Sequence, residues 1–324
     1  MDVDVLIVGA GPAGLYAAYY AGFRGLSVAI VDGLPEAGGQ VTALYPEKQI
    51  YDIAGFPAVK GKDLVEALVA QAAPFSPAYL LGEQAVAYHQ SVDGVVISTA
   101  SGQQVRAKAV VVTGGIGTFT PRPLPGGDAW EGRGLEYIVP TYAPYEGKDV
   151  VVVGGGDSAL DWALGLEPVA RSVTLVHRRD EFRAHAHSVK LLKDSTIRVV
   201  TPAQVMAING ADTLESVTVR DVKTKQTQDI GVQAVVAALG FTADIAPLEA
   251  WGLETAERHV LVDSRMATNL PRVFAAGDIT EYPGKVRLIS VGFGEAATAV
   301  CNAATVVDPE ATVFPGHSTE GAQA

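Results

Sequence analysis

The feature that most constrains this chain is a glycine-rich pattern that occurs twice, each time between a short apolar run and a helix-like stretch. The first copy follows residues 3–8 and contains Gly9, Gly11 and Gly14. A short continuous apolar run is typical of a strand buried on both faces of a parallel sheet. In such a turn Gly9 permits the tight bend, Gly11 lets the backbone approach a pyrophosphate, and Gly14 allows close helix–strand packing. The pattern predicts a dinucleotide-binding fold.

An acidic residue ends the second strand, where a dinucleotide-binding fold places one. The next apolar strand, residues 27–31, ends at Asp32, where a carboxylate can accept hydrogen bonds from both ribose hydroxyls. A glycine-rich turn in some other α/β protein is the alternative, and the full order of strand, turn, helix, strand and acid argues against it.

The second copy begins with a strand at residues 149–153 and continues through Gly154 and Gly156 into a helix that contains Ser158. Ala159 takes the place of the third glycine, which the motif tolerates. No acid ends the following strand, residues 172–176, because His177 comes next.

Three arginines follow that strand instead: Arg178, Arg179 and Arg183. Guanidinium groups suit a phosphate, so this site is predicted to bind the 2′-phosphate of NADP. A solvated basic cluster and an NAD site without discrimination are the alternatives. Since two nicotinamide sites would be redundant, one unit is expected to hold a flavin dinucleotide and the other the hydride donor.

A third element supports the flavin assignment. Residues 273–276 form a short apolar run that ends in Gly277 and Asp278 and precedes an apolar, small-residue stretch from residue 288. Gly277 would allow close approach of the backbone, and Asp278 could bind a polyol such as the ribityl chain of FAD.

Composition sets the class of protein. The chain has 324 residues, of which 48% are hydrophobic and 19% charged, as expected for a compact protein of about two domains. Its net charge of −12 argues against binding to nucleic acid or anionic membranes. The apolar runs are too short for a bilayer and the N-terminus lacks a basic signal region, which predicts a cytoplasmic protein. Cys301 is alone, so no intramolecular disulfide or dithiol can form.

The combined motifs resemble the thioredoxin reductase family of pyridine nucleotide flavoenzymes. Residues 139–147, where those enzymes carry a Cys-x-x-Cys, contain no cysteine, which excludes disulfide reduction through a dithiol. In finer detail the chain resembles the branch without that pair, the thioredoxin-reductase-like ferredoxin–NADP⁺ reductases. The likeness is carried by residues 38–40, 43–48, 51–57, 156–162, 284–289 and 314–319.

The resemblance implies an α/β fold with two Rossmann-like dinucleotide-binding domains. The NADPH domain, residues 117–242, would be inserted in a discontinuous FAD domain formed by residues 1–116 and 243–324. The chain would cross between the domains near residues 113–117 and 240–244. The family is homodimeric, and the C-terminal tail of one subunit reaches the flavin of the other.

The same resemblance implies roles for single residues. Asp32 and Gln40 would bind the adenosine half and the diphosphate region of FAD. Tyr45 and His317 would stack on the two faces of the isoalloxazine, although Tyr45 alone is also compatible with a core aromatic and His317 with a frayed surface residue. Further flavin contacts are expected from Val86, Phe119, Asp278 and Thr319. No residue is expected to be catalytic in the strict sense.

The predicted reaction is hydride exchange between NADP(H) and FAD N5, followed by one-electron transfer with ferredoxin or flavodoxin. An NAD(P)H oxidase or quinone/flavin reductase on the same scaffold and a non-catalytic flavin sensor are the alternatives. Ferredoxins are typically acidic, so docking to a chain of this charge requires a local basic patch. The predicted members of that patch are Lys48, Lys60, Lys62, Lys285 and Arg287. His185 and His187 have no accompanying carboxylate or cysteine cluster, and no metal site is predicted.

Overall fold

The chain divides into two compact units. The structure is a computed structural model that describes residues 1–115 and 118–317. The first unit comprises residues 1–43, 49–119 and those from 243 onward, and the second comprises residues 44–48 and 120–242. The predicted crossings lie near these divisions, and the assignment of the domains to FAD and NADPH stays a prediction. The segment 44–48 groups with the second unit, which no sequence pattern predicted.

The N-terminal part of the first unit begins as the glycine pattern predicts. Val5, Leu6 and Ile7 of the first strand are fully buried, which explains why that strand is apolar without alternation. Its elements are β1 (Asp2–Val8), α1 (Pro12–Phe23), β2 (Val28–Asp32), α2 (Gln40–Leu44), β3 (Gln49–Ile50), β4 (Val59–Lys60), α3 (Gly61–Ala72), β5 (Ala78–Leu81), β6 (Ala85–Gln90), β7 (Val95–Thr99) and β8 (Gln104–Val112).

The second unit contains a parallel sheet and an antiparallel one. Val151 and Val153 pack on the antiparallel side while Val150 and Val152 pack against the helical side, so the strand is apolar on both faces. The elements of this part of the chain are β9 (Thr118–Pro121), β10 (Leu135–Glu136), β11 (Asp149–Gly154), α4 (Asp157–Leu166), β12 (Ser172–Val176), α5 (Ala186–Asp194), β13 (Arg198–Val200), β14 (Ala203–Gly210), β15 (Leu214–Asp221), β16 (Thr227–Gly231), β17 (Ala234–Ala238) and β18 (Phe241–Asp244).

The C-terminal part returns to the first unit. Its long last helix buries a stripe of small residues at helical spacing, which lets it pack closely on α1. The elements are α6 (Ala246–Ala250), β19 (Thr255–Ala256), β20 (His259–Leu261), β21 (Val273–Ala275), β22 (Thr280–Glu281) and α7 (Ile289–Val307).

One sheet forms the core of each unit, and parallel strands make up most of the first sheet and all of the second. The sheet of the first unit has the order β5-β2-β1-β8-β7-β6, with β21 also paired to β8. Strands β5, β2, β1, β8 and β21 are parallel, and β6 and β7 are added as antiparallel strands. The second unit has the fully parallel order β10-β17-β11-β12-β13 beside the antiparallel sheet β14-β15-β16. Strands β9 and β18, where the chain passes between the units, pair with each other.

Every helix within the described ranges is too short or too polar to cross a membrane.

Candidate functional site

The carboxyl ends of four parallel strands meet at one edge of the first sheet. The backbone ties them together: Gly9 N–H donates to the Val31 carbonyl at 2.8 Å, and Ala276 N–H donates to the Val112 carbonyl at 2.9 Å. Ligands of open α/β sheets bind outside the carboxyl ends of the strands. This edge carries Gly9–Gly14, Asp32 and Gly277–Asp278 together, as the sequence predicts for a single dinucleotide site.

The three glycines of the first turn differ in what surrounds them. Gly9 has a φ of +118°, and a Cβ atom there would lie 2.6 Å from the Thr113 carbonyl oxygen. A Cβ atom on Gly14 would overlap the Gly9 carbonyl. Gly11 is the contrast, since a Cβ atom there would have nothing within 4 Å. The fold itself therefore requires Gly9 and Gly14, whereas Gly11 faces open space next to the start of α1.

Asp32 holds the strand end to this turn. Its carboxylate accepts a hydrogen bond from Ala10 N–H at 2.6 Å through one oxygen and from Leu34 N–H at 2.8 Å through the other. Burial raises the pKa of the Asp32 carboxyl, and the two backbone hydrogen bonds act in the opposite direction. Each oxygen retains a lone pair, so the group can still accept hydrogen bonds from ribose hydroxyls.

A second glycine pair packs against the first turn. Gly38 N–H donates to the Ala10 carbonyl at 2.8 Å, and a Cβ atom on Gly39 would lie 2.9 Å from the Gly11 Cα. Gln40 begins α2, and its side-chain nitrogen would be 2.7 Å from a Cβ atom placed on Gly115. Gln40 is thus at the same edge of the sheet as the glycine turn.

Gly277 approaches the first turn of α1 and of α7. Its φ is +81°, and a Cβ atom there would lie 3.1 Å from the Ala13 Cβ. Gly292 is as close, since its Cβ would be 3.4 Å from the Gly277 Cα. Burial raises the pKa of the neighbouring Asp278 carboxyl, opposed mainly by the charge of Lys285. The two predicted flavin motifs therefore lie side by side in the first unit.

The residues expected around the isoalloxazine differ in burial, and two of them lie partly or wholly outside the described part of the chain. Tyr45 follows α2 in the segment 44–48 and is half-buried, with Lys48 Nζ 5.8 Å from the centre of its ring. Val86 is exposed on β6 at a break in the strand register. Phe119 is in β9, where its side chain lies outside the described part, and Thr319 lies outside the described residues. Their flavin contacts stay predictions.

The C-terminal tail is attached to α1 by an arginine that the sequence analysis did not single out. Arg24 donates hydrogen bonds to the carbonyls of Val313 and Thr312, at 2.8 and 2.7 Å. Beyond this anchor, exposed His317 packs edge-to-face on Phe314, with ring centres 5.2 Å apart. An arginine at a helix C-terminus is the only sequence signal for this contact, and it is too common to be specific.

The second glycine turn is held by a different set of contacts. A Cβ atom on Gly154 would overlap the Ala238 carbonyl, and one on Gly155 would overlap the His177 ring. Arg183 N–H donates to the Gly155 carbonyl at 2.7 Å, which brings the arginine loop alongside the turn. The His177 ring packs against Gly155. This contact was not predicted from the sequence, because His177 was considered only as the residue found in place of an acid at the end of the strand.

The loop that carries the arginines of the second unit is joined to the turn before α4 through the backbone of Arg183. Arg178, Arg179 and Arg183 are exposed, as is Ser158 in the first turn of α4. The backbone bridge between Gly156 and Arg183 joins the two segments. The first-turn N–H groups of a helix beside guanidinium groups form a site for phosphate. The structure thus brings the predicted NADPH residues together.

The two neighbouring histidines of the second unit lie at the start of α5. This helix begins after His185, so His185 and His187 are not both helical. No group of three or more potential metal ligands occurs among the described residues.

The predicted basic surface patch is only partly present. Lys285 was predicted to belong to it, which is wrong, because its side chain is only 2% exposed and pairs with Glu295. Two other members of that patch, Lys48 and Arg287, form ion pairs with Asp161 and Glu281.

Comparison with known proteins gives a consistent result. The model of a family described as pyridine nucleotide-disulphide oxidoreductase matches residues 3–301. A ferredoxin–NADP reductase of Nocardioides sp. is 63% identical over 99% of this chain and 98% of its own, and one of Frankia alni is 63% identical over 97% and 98%. Thioredoxin reductase of T. acidophilum superposes with a TM-score of 0.81 at 28% identity, over 95% of this chain and 98% of that one. The predicted fold class is confirmed.

Proposed function

The chain belongs to the pyridine nucleotide-disulphide oxidoreductase family, and from this premise we propose that it is a ferredoxin–NADP⁺ reductase. The observation that carries the proposal is its near-full-length identity with relatives of that name. The residues agree, because the stretch 139–147 has no cysteine and the chain therefore has no dithiol to pass electrons to a disulfide.

FAD fits the first unit. Gly11 leaves open space beside the start of α1, where helix N–H groups favour a pyrophosphate. Asp32 offers a carboxylate that the backbone already holds in place, and Asp278 follows a glycine that packs against α1. These residues would hold the adenosine, the diphosphate and the ribityl chain.

NADP(H) fits the second unit. Gly154–Gly156 and the first turn of α4 would hold the pyrophosphate, and Arg178, Arg179 and Arg183 would hold the 2′-phosphate. When bound, FAD supplies a ring that takes hydride from NADPH and releases electrons one at a time. The contribution of the protein is to bind and orient the two nucleotides, and no side chain of the chain has to move a proton.

We propose ferredoxin or flavodoxin as the electron acceptor and a cytoplasmic homodimer as the working form. A reducing compartment agrees with the single cysteine. Light scattering of the purified protein tests the dimer, for which a monomer mass is the contradicting result.

The test of the proposed function is anaerobic. Purified protein is mixed with NADPH while the flavin absorbance is followed, and ferredoxin with cytochrome c is then added. Rapid bleaching and cytochrome reduction that depends on ferredoxin are expected. Bleaching without a response to ferredoxin would favour a quinone reductase or an oxidase, and absence of bleaching would favour a flavin sensor.

A further inference from the structure

A charged pair is buried in the first unit, next to the Gly277 turn. The side chains of Lys285 and Glu295 are 2% and 5% exposed, and Lys285 Nζ lies 2.6 and 2.7 Å from the two carboxylate oxygens of Glu295. Tyr282 donates a third hydrogen bond to Glu295 at 2.5 Å. Burial and, to a smaller extent, the Glu295 carboxylate raise the pKa of the Tyr282 hydroxyl to about 12.

The charged pair is buried among apolar residues of α7. The buried face of α7 is otherwise formed by glycine, alanine and valine. Burial of two charges has a large desolvation cost, and well-packed apolar side chains in their place are often neutral or stabilising. Stability alone therefore gives no reason for a lysine and a glutamate here.

The pair holds both polar groups of one residue. Gly277 N–H donates to Glu295 at 2.8 Å, and the Gly277 carbonyl accepts a hydrogen bond from Lys285 Nζ at 2.9 Å. Thr280 also donates to that carbonyl through its hydroxyl, at 2.8 Å. Gly277 has a left-handed backbone that these contacts fix from both sides, and the next residue is Asp278.

We propose that Lys285 and Glu295 are positioning residues for the flavin: they fix the backbone of Gly277 and so the placement of Asp278 in the dinucleotide site. This inference rests on the proposed function, which gives that site to FAD. Neither side chain acts on the substrate. The charge of Lys285 also opposes protonation of Asp278.

The test uses the holoenzyme of the double variant Lys285→Met with Glu295→Leu, which removes both charges together and so leaves no unpaired buried ion. FAD release, followed by flavin fluorescence after dilution, is expected to be about tenfold faster or more, because two charge-assisted hydrogen bonds to the turn are lost. The midpoint potential and the visible circular dichroism of the bound flavin are expected to shift while the far-ultraviolet spectrum stays native.

Three further variants keep the test decisive. Lys108→Met breaks an ion pair with Asp4 in the same unit, with the two groups 2.8 Å apart and the lysine side chain about half exposed, and is expected to leave FAD release and potential unchanged. If the double variant does not fold, Glu295→Gln replaces it, since the glutamine keeps the volume and one acceptor oxygen but loses the charge. Its FAD release is expected to be faster than that of the parent protein, and Lys285→Arg is expected to stay near the parent.

The outcomes separate the inference from the proposed function. Identical FAD release, potential and flavin spectrum in the parent protein and in the folded charge-removing variant would overturn the positioning role alone. Protein that binds no FAD in any form would overturn the proposed function, whereas flavin that NADPH bleaches without reducing ferredoxin would change the acceptor and leave the positioning role supported by its own readouts.

Discussion

The two glycine turns have the same backbone plan and opposite chemistry at the strand that follows. In the first unit β2 ends in Asp32, whose carboxylate ties the strand end to Ala10 of the turn. In the second unit β12 is followed by His177, and no acid occupies the corresponding position. Both turns accept a backbone hydrogen bond from the loop beyond the strand, from Gly38 N–H to Ala10 and from Arg183 N–H to Gly155. The turns therefore share this backbone contact, and they differ in the side chains that follow the strand.

This difference teaches how one fold can hold two nucleotides in a single chain. In the first unit the Asp32 carboxylate is held at the turn and suits ribose hydroxyls. In the second unit the side chains of Arg178, Arg179 and Arg183 are exposed and can bind a phosphate.

The largest effect is expected from Gly14→Ala, set against Gly11→Ala in the same turn. A Cβ atom on Gly14 overlaps the Gly9 backbone, so this variant should lose about 1–3 kcal/mol of unfolding free energy or fail to fold. Gly11→Ala should lose FAD and keep the melting temperature of the FAD-free parent protein, because the added methyl group enters only the open space. Thermal unfolding and flavin absorbance check both, and equal melting temperatures would break the distinction.

The next effect concerns Asp32. Asp32→Ala removes the hydrogen bonds from Ala10 N–H and Leu34 N–H, which are partly buried, at about 0.5–1.5 kcal/mol for each bond, and should purify without FAD. Asp32→Asn, which keeps one acceptor oxygen, should lose less stability. Denaturant unfolding and the FAD content after gel filtration measure the two effects. An Asp32→Ala protein as stable as Arg178→Ala would contradict the structural role of the acid.

A smaller and more selective effect is expected in the second unit. The double variant Arg178→Ala with Arg179→Ala should raise KM for NADPH by about 10–100-fold, since hydrogen bonds to a charged phosphate contribute about 1.5–3 kcal/mol. KM for NADH and the melting temperature should not change. Steady-state kinetics with both cofactors decides the matter, and an equal rise in both KM values would mean that the arginines do not contact the 2′-phosphate.

The smallest effect is a pH dependence of stability. Burial lowers the pKa of His177, and Arg178, Arg179 and Arg183 act in the same direction. The folded state therefore binds fewer protons, so this contribution is complete above the unfolded pKa of about 6.5 and is lost as pH falls through the folded value. The unfolding free energy should decrease as pH falls through this window. His177→Phe should remove this slope in denaturant titrations, and an unchanged slope would contradict the assignment.

Much of both sites could be predicted because the glycines of each turn lie at fixed spacing in the sequence. Gly14 is required by the backbone of Gly9 in its own turn, whereas Gly9 and Gly154 are required by the carbonyls of Thr113 and Ala238, which are distant in sequence. The parallel sheets follow from apolar strands such as β1 and β11.

Two contacts, that of Arg24 with the C-terminal tail and that of Lys285 with Glu295, left no pattern at fixed spacing in the sequence. The bonds from Arg24 to the tail join residues far apart in sequence, and neither partner is unusual by itself. The position of Lys285 was predicted wrongly because a lysine is rarely buried unless it is paired. Its partner Glu295 lies in an apolar helix, where no charged partner was predicted from the sequence. A single carboxylate in the buried stripe of α7 was the signal that could have revealed the pair.

The pairing of β21 with β8 has a consequence for biosynthesis. Val273–Ala275 complete the central sheet of the first unit beside Val110–Val112, and most of the second unit is translated between them. On the ribosome the second parallel sheet, formed from residues 135–238, is therefore finished while the first still lacks a strand and its last helix. A nascent chain halted before residue 273 should already protect the Gly154–Gly156 turn from protease and leave the Gly9–Gly14 turn open to cleavage.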